Sequence, residues 1–462
     1  MGEGTRAVVV GGSIAGMCAA QVLSRTFDHV TLVERDEIGE APHPRRGVPQ
    51  ARHVHALLVR GRREIEGIFP GFEAAALRMG ASELDFGTAF LTMRPLGWEP
   101  RAASGMLTLW GSRDLLEAAI RERMRALGSV EVIGNASATK LIVKDDRVRG
   151  VTIAQENTPD RTLEADLVVD AAGRASRAKE WLKDAGHEPP DETLVDSFAG
   201  YSSLWIRAPK PEVRARWGGW KGMWIDIKPP EIKRACVLFP IEDDRCIVTL
   251  AGINRDYPPS DEAGFRAALE ALRSPIVAEA TRDCEAISPV FTSRSMANRM
   301  RHYDRWRAPL DGFLAIGDSV CAFNPVYGQG MSTSAACAGI LRKTLDEHGT
   351  DVRGLARAFF RAQAKFLAQP WAMATGADFM FPETQGERSK LGHLLNPYML
   401  MLFVAALEDD FVRLQMGEVF NLIRPMTALF SPAVAARAIA KGGRRLLLDR
   451  VSPRGVPRSP PG

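Results

Sequence analysis

The first forty residues constrain the fold of this chain more than any other segment. A short apolar stretch, Thr5 to Val10, runs into a glycine cluster and a helix-compatible stretch, and a second apolar stretch follows, which Glu34 closes. This order is typical of a strand–helix–strand unit that binds a dinucleotide. Ser13 stands where the fingerprint usually has its middle glycine, and a residue this small still lets the backbone approach a phosphate. We therefore predict a dinucleotide site, with an ordinary buried unit as the alternative.

Three residues of this unit have separate tasks. Gly11 permits the tight turn out of the first strand, and Gly16, which lacks a Cβ, lets the helix pack closely on the sheet. The helix N-terminus presents free N–H groups and the positive end of a dipole to a pyrophosphate. Glu34 follows at the separation from which a carboxylate reaches ribose hydroxyls. Because NAD and FAD share the adenosine half, these residues do not distinguish between the two cofactors.

The composition excludes several other classes of protein. With 462 residues, the chain is long enough for two or three subdomains. Its net charge of +4 comes with scattered arginines and no basic block, so we expect no binding of nucleic acid. The six cysteines show neither a Cys-x-x-Cys pair nor histidines at metal-ligand spacing. We therefore expect no disulfide framework and no metal, as in a protein of the reducing cytoplasm.

No segment predicts stable insertion into a membrane. The chain enters its first predicted strand almost at once, which leaves no room for a signal peptide. The longest apolar run, Pro397 to Leu407, is shorter than the roughly 20 residues that a spanning helix needs. Contact of the C-terminal helices with a membrane surface stays open.

Two segments after the first unit carry arginines suited to an anion. The loop 44–55 contains three arginines, whose planar guanidinium groups can reach a pyrophosphate, whereas its two histidines are better explained by capping and packing than by catalysis. Ser112 is a good N-cap for a helix that Gly128 ends. In its first turn, Arg113 either pairs with Glu117 or binds an anionic ligand, and the spacing leaves both interpretations open.

A second strong motif lies between Phe313 and Ser332. A predicted strand ends in Gly317-Asp318, a loop with a proline and two glycines follows, and a helix of small residues begins near Ser332. Asp318 can accept a hydrogen bond from a sugar hydroxyl, and the helix N-terminus can stabilise negative charge. This order is difficult to explain without a ligand.

The patterns together predict an α/β fold. A Rossmann-like dinucleotide-binding domain with a mixed sheet carries an inserted, mainly antiparallel β-sheet domain for the substrate, and a helical region follows. The predicted parts are 1–194 (cofactor domain, first part, with a hairpin insertion), 195–306 (substrate domain), 307–350 (return to the cofactor domain), 351–450 (helical region) and 451–462 (disordered tail).

Over roughly residues 5–380, these motifs resemble those of the single-component FAD-dependent monooxygenases of the aromatic-hydroxylase and squalene-epoxidase type. The resemblance implies that the glycine unit holds the ADP half of FAD, and that the Gly317-Asp318 turn holds its ribityl chain and pyrophosphate. The cofactor-binding residues that it implies are Gly11, Gly12, Ser13, Ile14, Ala15, Gly16, Glu34, Arg35, Arg46, Gly47, Val48, Arg113, Gly317, Asp318, Pro325, Gly328, Gly330 and Met331. It singles out no catalytic residue, and the candidates near the flavin ring are Arg46, Cys321, Pro325, Tyr327 and Gly328.

Several motifs are similar to those of the bacterial polyene epoxidases of polyether antibiotic biosynthesis. These motifs are Arg46–His53, Asp170–Arg174, Arg301–Arg305 and Phe323–Gly328. Two positions depart from the hydroxylase pattern. Ala172 stands where an acid is usual, which puts the hydroxylase-style NAD(P)H contact in doubt, and Cys321 replaces a common histidine. Both departures suit the epoxidase branch.

The resemblance implies transfer of one oxygen atom from O2, through an FAD C4a-hydroperoxide, to an alkene of an apolar polyketide or terpenoid in secondary metabolism. Such a transfer needs a dry, apolar pocket and no protein base. Because the chain has one glycine fingerprint, electrons would come from transiently bound NADH or NADPH, or from a separate flavin or ferredoxin reductase.

Four alternatives stay open. A hydroxylase or Baeyer–Villiger oxidant of a natural product shares the cofactor and the oxidant. A flavin halogenase is disfavoured because Trp217, Trp220 and Trp224 lack its tryptophan spacing. An isoprenoid double-bond reductase or a non-catalytic flavoprotein would incorporate no oxygen.

Overall fold

The computed structural model describes residues 4–294, 296–388, 390–451 and 457–460. Its strands, β1 to β20 in chain order, are Arg6–Val10, His29–Val33, Ser82–Asp85, Phe90–Arg94, Gly97–Trp98, Leu107–Trp110, Glu131–Ile133, Ala136–Lys144, Arg147–Gln155, Arg161–Glu164, Leu167–Asp170, Glu192–Val195, Gly200–Arg207, Gly222–Ile225, Arg234–Ile241, Arg245–Gly252, Phe291–Ser293, Asn298–Arg301, Phe313–Ala315 and Cys321–Ala322. Its helices, α1 to α15, are Ile14–Leu23, Val59–Ile68, Phe72–Arg78, Phe86–Ala89, Arg113–Leu127, Ala178–Asp184, Pro211–Ala215, Glu262–Glu270, Ile276–Thr281, Gly330–His348, Leu355–Asp378, Lys390–Ala406, Asp410–Phe420, Pro432–Arg437 and Arg444–Val451.

A parallel sheet of five strands forms the centre of the cofactor-binding part. Its strand order is β19-β11-β1-β2-β7, and every neighbouring pair is parallel. Strand β1 is buried from Ala7 to Val10, and α1 is buried along its whole length. The predicted strand–helix–strand unit is therefore present, with β1 in the middle of the sheet.

Two glycines of the first turn are required by close backbone contacts. Gly11 has a φ of +107°, and a Cβ there would lie 2.5 Å from the carbonyl oxygen of Ala171. A Cβ on Gly16 would lie 1.7 Å from the carbonyl oxygen of Gly11. Because α1 begins directly against this turn, neither position can carry a side chain.

A second sheet of seven strands has the order β17-β13-β16-β15-β14-β4-β5. All its neighbouring pairs are antiparallel except β14 with β4, which is parallel. The largely antiparallel sheet predicted within residues 195–306 is present. Two of its strands, however, come from residues 90–98, so the prediction that this segment belongs to the first part of the cofactor domain is wrong for β4 and β5.

Three smaller sheets have the orders β10-β9-β8, β12-β18-β20 and β3-β6. The predicted hairpin around Asp145-Asp146 forms between β8 and β9. In the second of these sheets, Met300 of β18 pairs with Cys321 of β20, directly after the Gly317-Asp318 turn. This sheet therefore connects the end of the segment 195–306 with the second glycine motif.

The C-terminal helical region is present as predicted, and residues of α12, α13 and α14 share an apolar cluster of their own. Among the described helices, none is long and apolar enough to cross a membrane. The tail 451–462 was predicted to be disordered, but Val451 is the last residue of α15. Residues 457–460 lie against the second sheet, where Trp98 Nε1 donates to the carbonyl oxygen of Pro457 at 2.8 Å. The rest of that prediction lies outside the described residues.

Candidate cofactor and active site

Backbone hydrogen bonds hold Glu34 at the carboxyl end of β2. Its Oε2 accepts a hydrogen bond from the Gly12 N–H at 2.5 Å, and its Oε1 accepts one from the Asp36 N–H at 3.0 Å. The side chain is buried. Because a carboxylate has further lone pairs, Glu34 can still accept hydrogen bonds from a ribose.

Ser13 and Arg113 meet at the start of α1. Ser13 Oγ donates to Glu117 Oε1 at 2.6 Å and accepts a hydrogen bond from Arg113 Nη2 at 2.9 Å. Arg113 Nε also donates to Glu117 Oε1, at 3.1 Å. Of the two interpretations of Arg113, the ion pair with Glu117 is therefore present. The same guanidinium lies beside the glycine turn, and its contact with FAD stays a prediction.

Arg45, rather than Arg46, is the arginine of the loop that turns inward. Arg45 Nη2 donates to Glu117 Oε2 at 2.6 Å, and its Nη1 lies 3.4 Å from Glu34 Oε2. Burial alone would raise the pKa of Glu117, but Arg113 and Arg45 outweigh burial and lower it to about 2. Arg46 is exposed, and its role near the flavin stays a prediction.

The remainder of this loop is fixed by the end of β2. The Gly47 N–H donates to Asp36 Oδ2 at 2.8 Å, and its carbonyl oxygen accepts from Arg35 Nη2 at 3.2 Å. A Cβ on Gly47 would lie 2.6 Å from Asp36 Oδ2, so glycine suits this contact. Val48 is buried. Arg35, Gly47 and Val48 thus lie together beside the buried acid that closes β2.

The two histidines of the loop make hydrogen bonds within the protein. His53 Nδ1 lies 2.8 Å from Ser203 Oγ, and burial lowers the pKa of His53 to about 4. His55 Nδ1 lies 3.0 Å from the carbonyl oxygen of His53, and its Nε2 lies 3.2 Å from Arg113 Nη1. Since arginine only donates, His55 carries its proton on Nδ1. Burial and then Arg113 lower the pKa of His55 to about 3, so its ring is neutral at ordinary pH.

The Gly317-Asp318 turn packs against the start of α1. Gly317 has a φ of +65°, and a Cβ there would lie 2.7 Å from Ala15 Cβ. Asp318 is partly exposed, and its Oδ2 lies 4.0 Å from Arg174 Nε. A Cβ on Gly330, the first residue of α10, would lie 3.8 Å from Asp318 Oδ1. The beginnings of α1 and α10 therefore meet at this turn.

The motifs around Asp170 and Arg301 support the same turn through Ser319. Ser319 Oγ donates to Asp170 Oδ1 at 3.2 Å and accepts a hydrogen bond from the Gly173 N–H at 2.9 Å. Arg301 Nη1 donates to the carbonyl oxygen of Ser319 at 2.6 Å. These contacts give both motifs a structural role beneath the candidate site.

The other predicted site residues divide by exposure. Four are buried, and their contacts with a cofactor stay predictions: Ile14, Ala15, Met331 and Cys321. Burial raises the pKa of the Cys321 thiol well above its usual value and keeps the thiol neutral. Three are exposed or partly exposed on the loop before α10: Pro325, Tyr327 and Gly328.

One carboxylate that the sequence analysis does not single out lies against this loop. Asp378, the last residue of α11, is fully buried and accepts a hydrogen bond from Tyr327 Oη at 2.7 Å. A lone acid in an amphipathic helix usually faces water, so no local signal marks it. Only its position in the fold brings it to the site.

These segments fit a dinucleotide cofactor of the FAD type. The turns at Gly11 and Gly317 have no room for side chains where the backbone would approach a phosphate, and the buried Glu34 is placed to bind a ribose. On the loop before α10, the buried Gln329 Oε1 has no hydrogen-bond partner within the described part of the chain. Such an acceptor is rare in proteins and is available to a ligand.

Comparison with known proteins agrees with this fit. The family described as "FAD binding domain" matches residues 4–351 of the chain. Protein Rv3254 of Mycobacterium tuberculosis is 30% identical over 456 residues, which cover 96% of this chain and 95% of that protein. Kynurenine 3-monooxygenase of Salinispora tropica is 27% identical over 374 residues, which cover 76% and 75% of the two chains.

Solved structures share the fold at low sequence identity. A flavoprotein/dehydrogenase from Cytophaga hutchinsonii has a TM-score of 0.68 at 16% identity and covers 97% of this chain and 99% of that one. The flavin-dependent brominase Bmp2 has a TM-score of 0.64 at 14% identity and covers 96% and 100%. The predicted mixed α/β fold with an FAD-binding domain and the predicted superfamily of flavin-dependent monooxygenases are confirmed, but the polyene epoxidase subgroup is not.

Proposed function

The chain belongs to the FAD binding domain family, and from this premise we propose that it is an FAD-dependent monooxygenase that epoxidises an alkene of an apolar polyketide or terpenoid. The observation that carries the proposal is the meeting of the glycine turn of α1 with the Gly317-Asp318 turn, beside the substrate sheet. That sheet reaches the site directly, because Tyr201 Oη of β13 donates to Asn324 Oδ1 at 2.5 Å.

The chain's own residues would bind and orient the cofactor. Backbone N–H groups at the starts of α1 and α10 would hold the pyrophosphate, Glu34 a ribose, and Asp318 the ribityl chain. When bound and reduced, FAD supplies the activated oxygen. The loop 325–330 would lie beside its ring, and together with β13 it would exclude water and orient the substrate.

The surroundings of the loop histidines support an alkene as the substrate. Epoxidation of an isolated alkene needs no protein base, whereas hydroxylation of a phenol is helped by one. His53 and His55, with pKa values lowered to about 4 and about 3, are weak bases that are already engaged in hydrogen bonds. The similarity of four motifs to polyene epoxidases points to the same substrate class.

The electron source is part of the proposal. The chain has one glycine fingerprint, so NADH or NADPH would bind transiently or a separate flavin or ferredoxin reductase would deliver electrons. Ala172 stands where hydroxylases carry an acid, which puts a hydroxylase-style NAD(P)H contact there in doubt but leaves both routes open. We place the reaction in the cytoplasm.

An isotope experiment tests the proposed reaction. The purified protein is loaded with FAD, reduced, and mixed with candidate polyenes and terpenoids under isotope-labelled oxygen gas. We expect an epoxide that is heavier than its alkene substrate by one labelled oxygen atom. A product that lacks the label would contradict a monooxygenase, and a saturated product would indicate a double-bond reductase.

A hydroxylase is the second candidate, and Asp378 favours it. Burial raises the pKa of this carboxyl to about 6, so the carboxylate is a usable proton acceptor close to neutral pH, with the Tyr327 hydroxyl as the intermediate group. The same isotope experiment with phenolic substrates distinguishes the two candidates by the position of the label. Added bromide or chloride tests for halogenation in parallel.

A further inference from the structure

Asp378 joins three parts of the chain at one side of the loop 325–330. It is the last residue of α11, and it is fully buried. Its Oδ1 accepts hydrogen bonds from Tyr327 Oη at 2.7 Å and from Asn324 Nδ2 at 3.3 Å. Its Oδ2 accepts one from Asn298 Nδ2 at 2.6 Å. Helix α11, strand β18 and the loop therefore share one carboxylate.

Asn324 extends this cluster to the substrate sheet. Its Oδ1 accepts from Tyr201 Oη of β13 at 2.5 Å, and its Nδ2 lies 3.3 Å from Ser197 Oγ. Its backbone N–H donates to Asn298 Oδ1 at 2.7 Å. The Asn324 amide thus bonds on one side to the sheet and on the other side to Asp378.

Neutral donors surround the charge of Asp378. After burial, the groups that most affect its carboxylate are the uncharged side chains of Tyr327, Ser197, Asn298 and Asn324. Burial raises the pKa of Asp378 to about 6, although hydrogen bonds from Tyr327 and Ser197 oppose the rise. The anion is therefore held in place only as long as these donors keep their orientation.

We propose that Asp378 is a positioning residue that, as an anion, fixes Asn324 and Tyr327 and thereby sets the conformation of the loop 325–330. The assignment rests on the proposed function, in which this loop lies beside the flavin ring. It gives the C-terminal helical region a direct part in shaping the active site.

The neighbours of Asp378 keep their own protonation state while Asp378 titrates. Tyr327 from the loop and Tyr201 from β13 face the cluster, and burial raises both tyrosine pKa values well above their usual value. Besides Asp378, which acts on both tyrosines, the charged groups are Arg174 near Tyr201 and Asp226 near Tyr327. Protonation of Asp378 makes the protonated oxygen a weaker acceptor and removes the charge that strengthens the hydrogen bonds from its donors.

Hydrogen–deuterium exchange of the apoprotein tests the positioning role without FAD or substrate. In Asp378→Asn, we expect the backbone amides of residues 326–330 to exchange about ten-fold faster at neutral pH, because a charge-assisted hydrogen bond is lost. Asp409→Asn is the matched control, since Asp409 caps α13 through the Val412 N–H at 3.1 Å and lies in the same helical region. Unchanged exchange in Asp378→Asn would overturn the proposal.

The pH profile separates a charge-dependent role from simple packing. The donors lower the pKa of the buried carboxyl, so a local opening in which the loop turns away while Asp378 stays buried is favoured by protonation. After correction for the intrinsic rate, exchange of the same amides in the unchanged protein should therefore rise as the pH falls, with a midpoint near 6. Tyr327→Phe removes one donor to the anion, so its midpoint should move to higher pH, and this variant serves if Asp378→Asn does not fold. A midpoint that persists in Asp378→Asn would contradict the assignment.

The exchange experiment and the isotope experiment can fail separately. If the protein shows this pH profile but forms no epoxide, the proposed epoxidation is wrong and the role of Asp378 stands. If the protein forms the epoxide but amide exchange shows no midpoint near pH 6, the proposed reaction stands and the role of Asp378 is wrong.

Discussion

Two buried carboxylates, Glu117 and Asp378, lie in different parts of the candidate site, and their surroundings shift their pKa values in opposite directions. Burial alone would raise the pKa of Glu117, but Arg113 and Arg45 outweigh it and lower the pKa to about 2. Asp378 is surrounded by neutral donors, and burial raises its pKa to about 6. Since both side chains are buried, the nearby cations decide the sign of the shift. The glycine turn is thus ion-paired at all ordinary pH values, whereas the loop 325–330 depends on a charge that changes near neutral pH.

The same difference has opposite consequences for stability. The lowered pKa of Glu117 contributes stability that is present above its ordinary value of 4.5 and is lost as the pH falls through about 2. The raised pKa of Asp378 contributes stability that is present below 3.8 and is lost as the pH rises through about 6. The two groups therefore give the unfolding free energy slopes of opposite sign.

Removal of the ion-paired charge of Glu117 should have the largest effect on the unfolding free energy. Glu117→Gln leaves the guanidinium groups of Arg45 and Arg113 without their shared partner in a buried place. We expect the free energy of unfolding to fall by about 3–5 kcal/mol, measured by urea denaturation.

Glu122→Gln is the matched control on the same helix. Glu122 pairs with Arg78 at 2.6 Å, but their side chains are 37% and 61% exposed. Water and salt screen such a pair, so its loss should cost less than about 1 kcal/mol. Equal losses in the two variants would show that burial and pairing of Glu117 do not matter.

The pH dependence of stability tests the other carboxylate. Relative to Asp378→Asn, the unchanged protein should lose about 3 kcal/mol of unfolding free energy between about pH 4 and pH 7, because it alone must ionise a buried acid. Urea denaturation of both proteins at several pH values measures this difference. A difference that stays constant over this range would mean that Asp378 does not titrate there.

Among the changes within the site, Ser13→Gly should have the smallest effect on the unfolding free energy, because it restores the usual middle glycine and removes only the hydroxyl between Glu117 and Arg113. We expect a loss of about 1 kcal/mol in unfolding free energy, with FAD binding retained. A loss as large as that of Glu117→Gln would mean that the hydroxyl, rather than the arginines, holds the network together.

Features that depend on neighbouring residues could be predicted from the sequence. Gly11 and Gly16 predict a tight turn and close helix packing, and both are found. Ser112 predicts a helix start, and its Oγ accepts a hydrogen bond from the Leu115 N–H at 3.1 Å. The φ of Gly128, +66°, ends that helix as expected. In each case the signal and the structure lie within a few residues of each other.

Features that depend on distant contacts could not be predicted. Strand β4 joins the second sheet by pairing with β14, more than one hundred residues later, and no local pattern indicates that partner. Arg45 and Arg46 are equivalent in sequence, and only the positions of Glu34 and Glu117 draw Arg45 inward. Asp378 is marked neither by a motif nor by spacing, because its partners come from three other segments of the chain.

The central claim is that the two glycine motifs form one FAD site, and the flavin content of Asp318→Ala tests it most directly. The ratio of flavin to protein absorbance is measured after purification of the unchanged protein and of the variant. We expect the unchanged protein to be yellow with bound FAD and the variant to be colourless, because Asp318 lies where the starts of α1 and α10 meet. A variant with the same FAD content as the unchanged protein would contradict this placement of the cofactor.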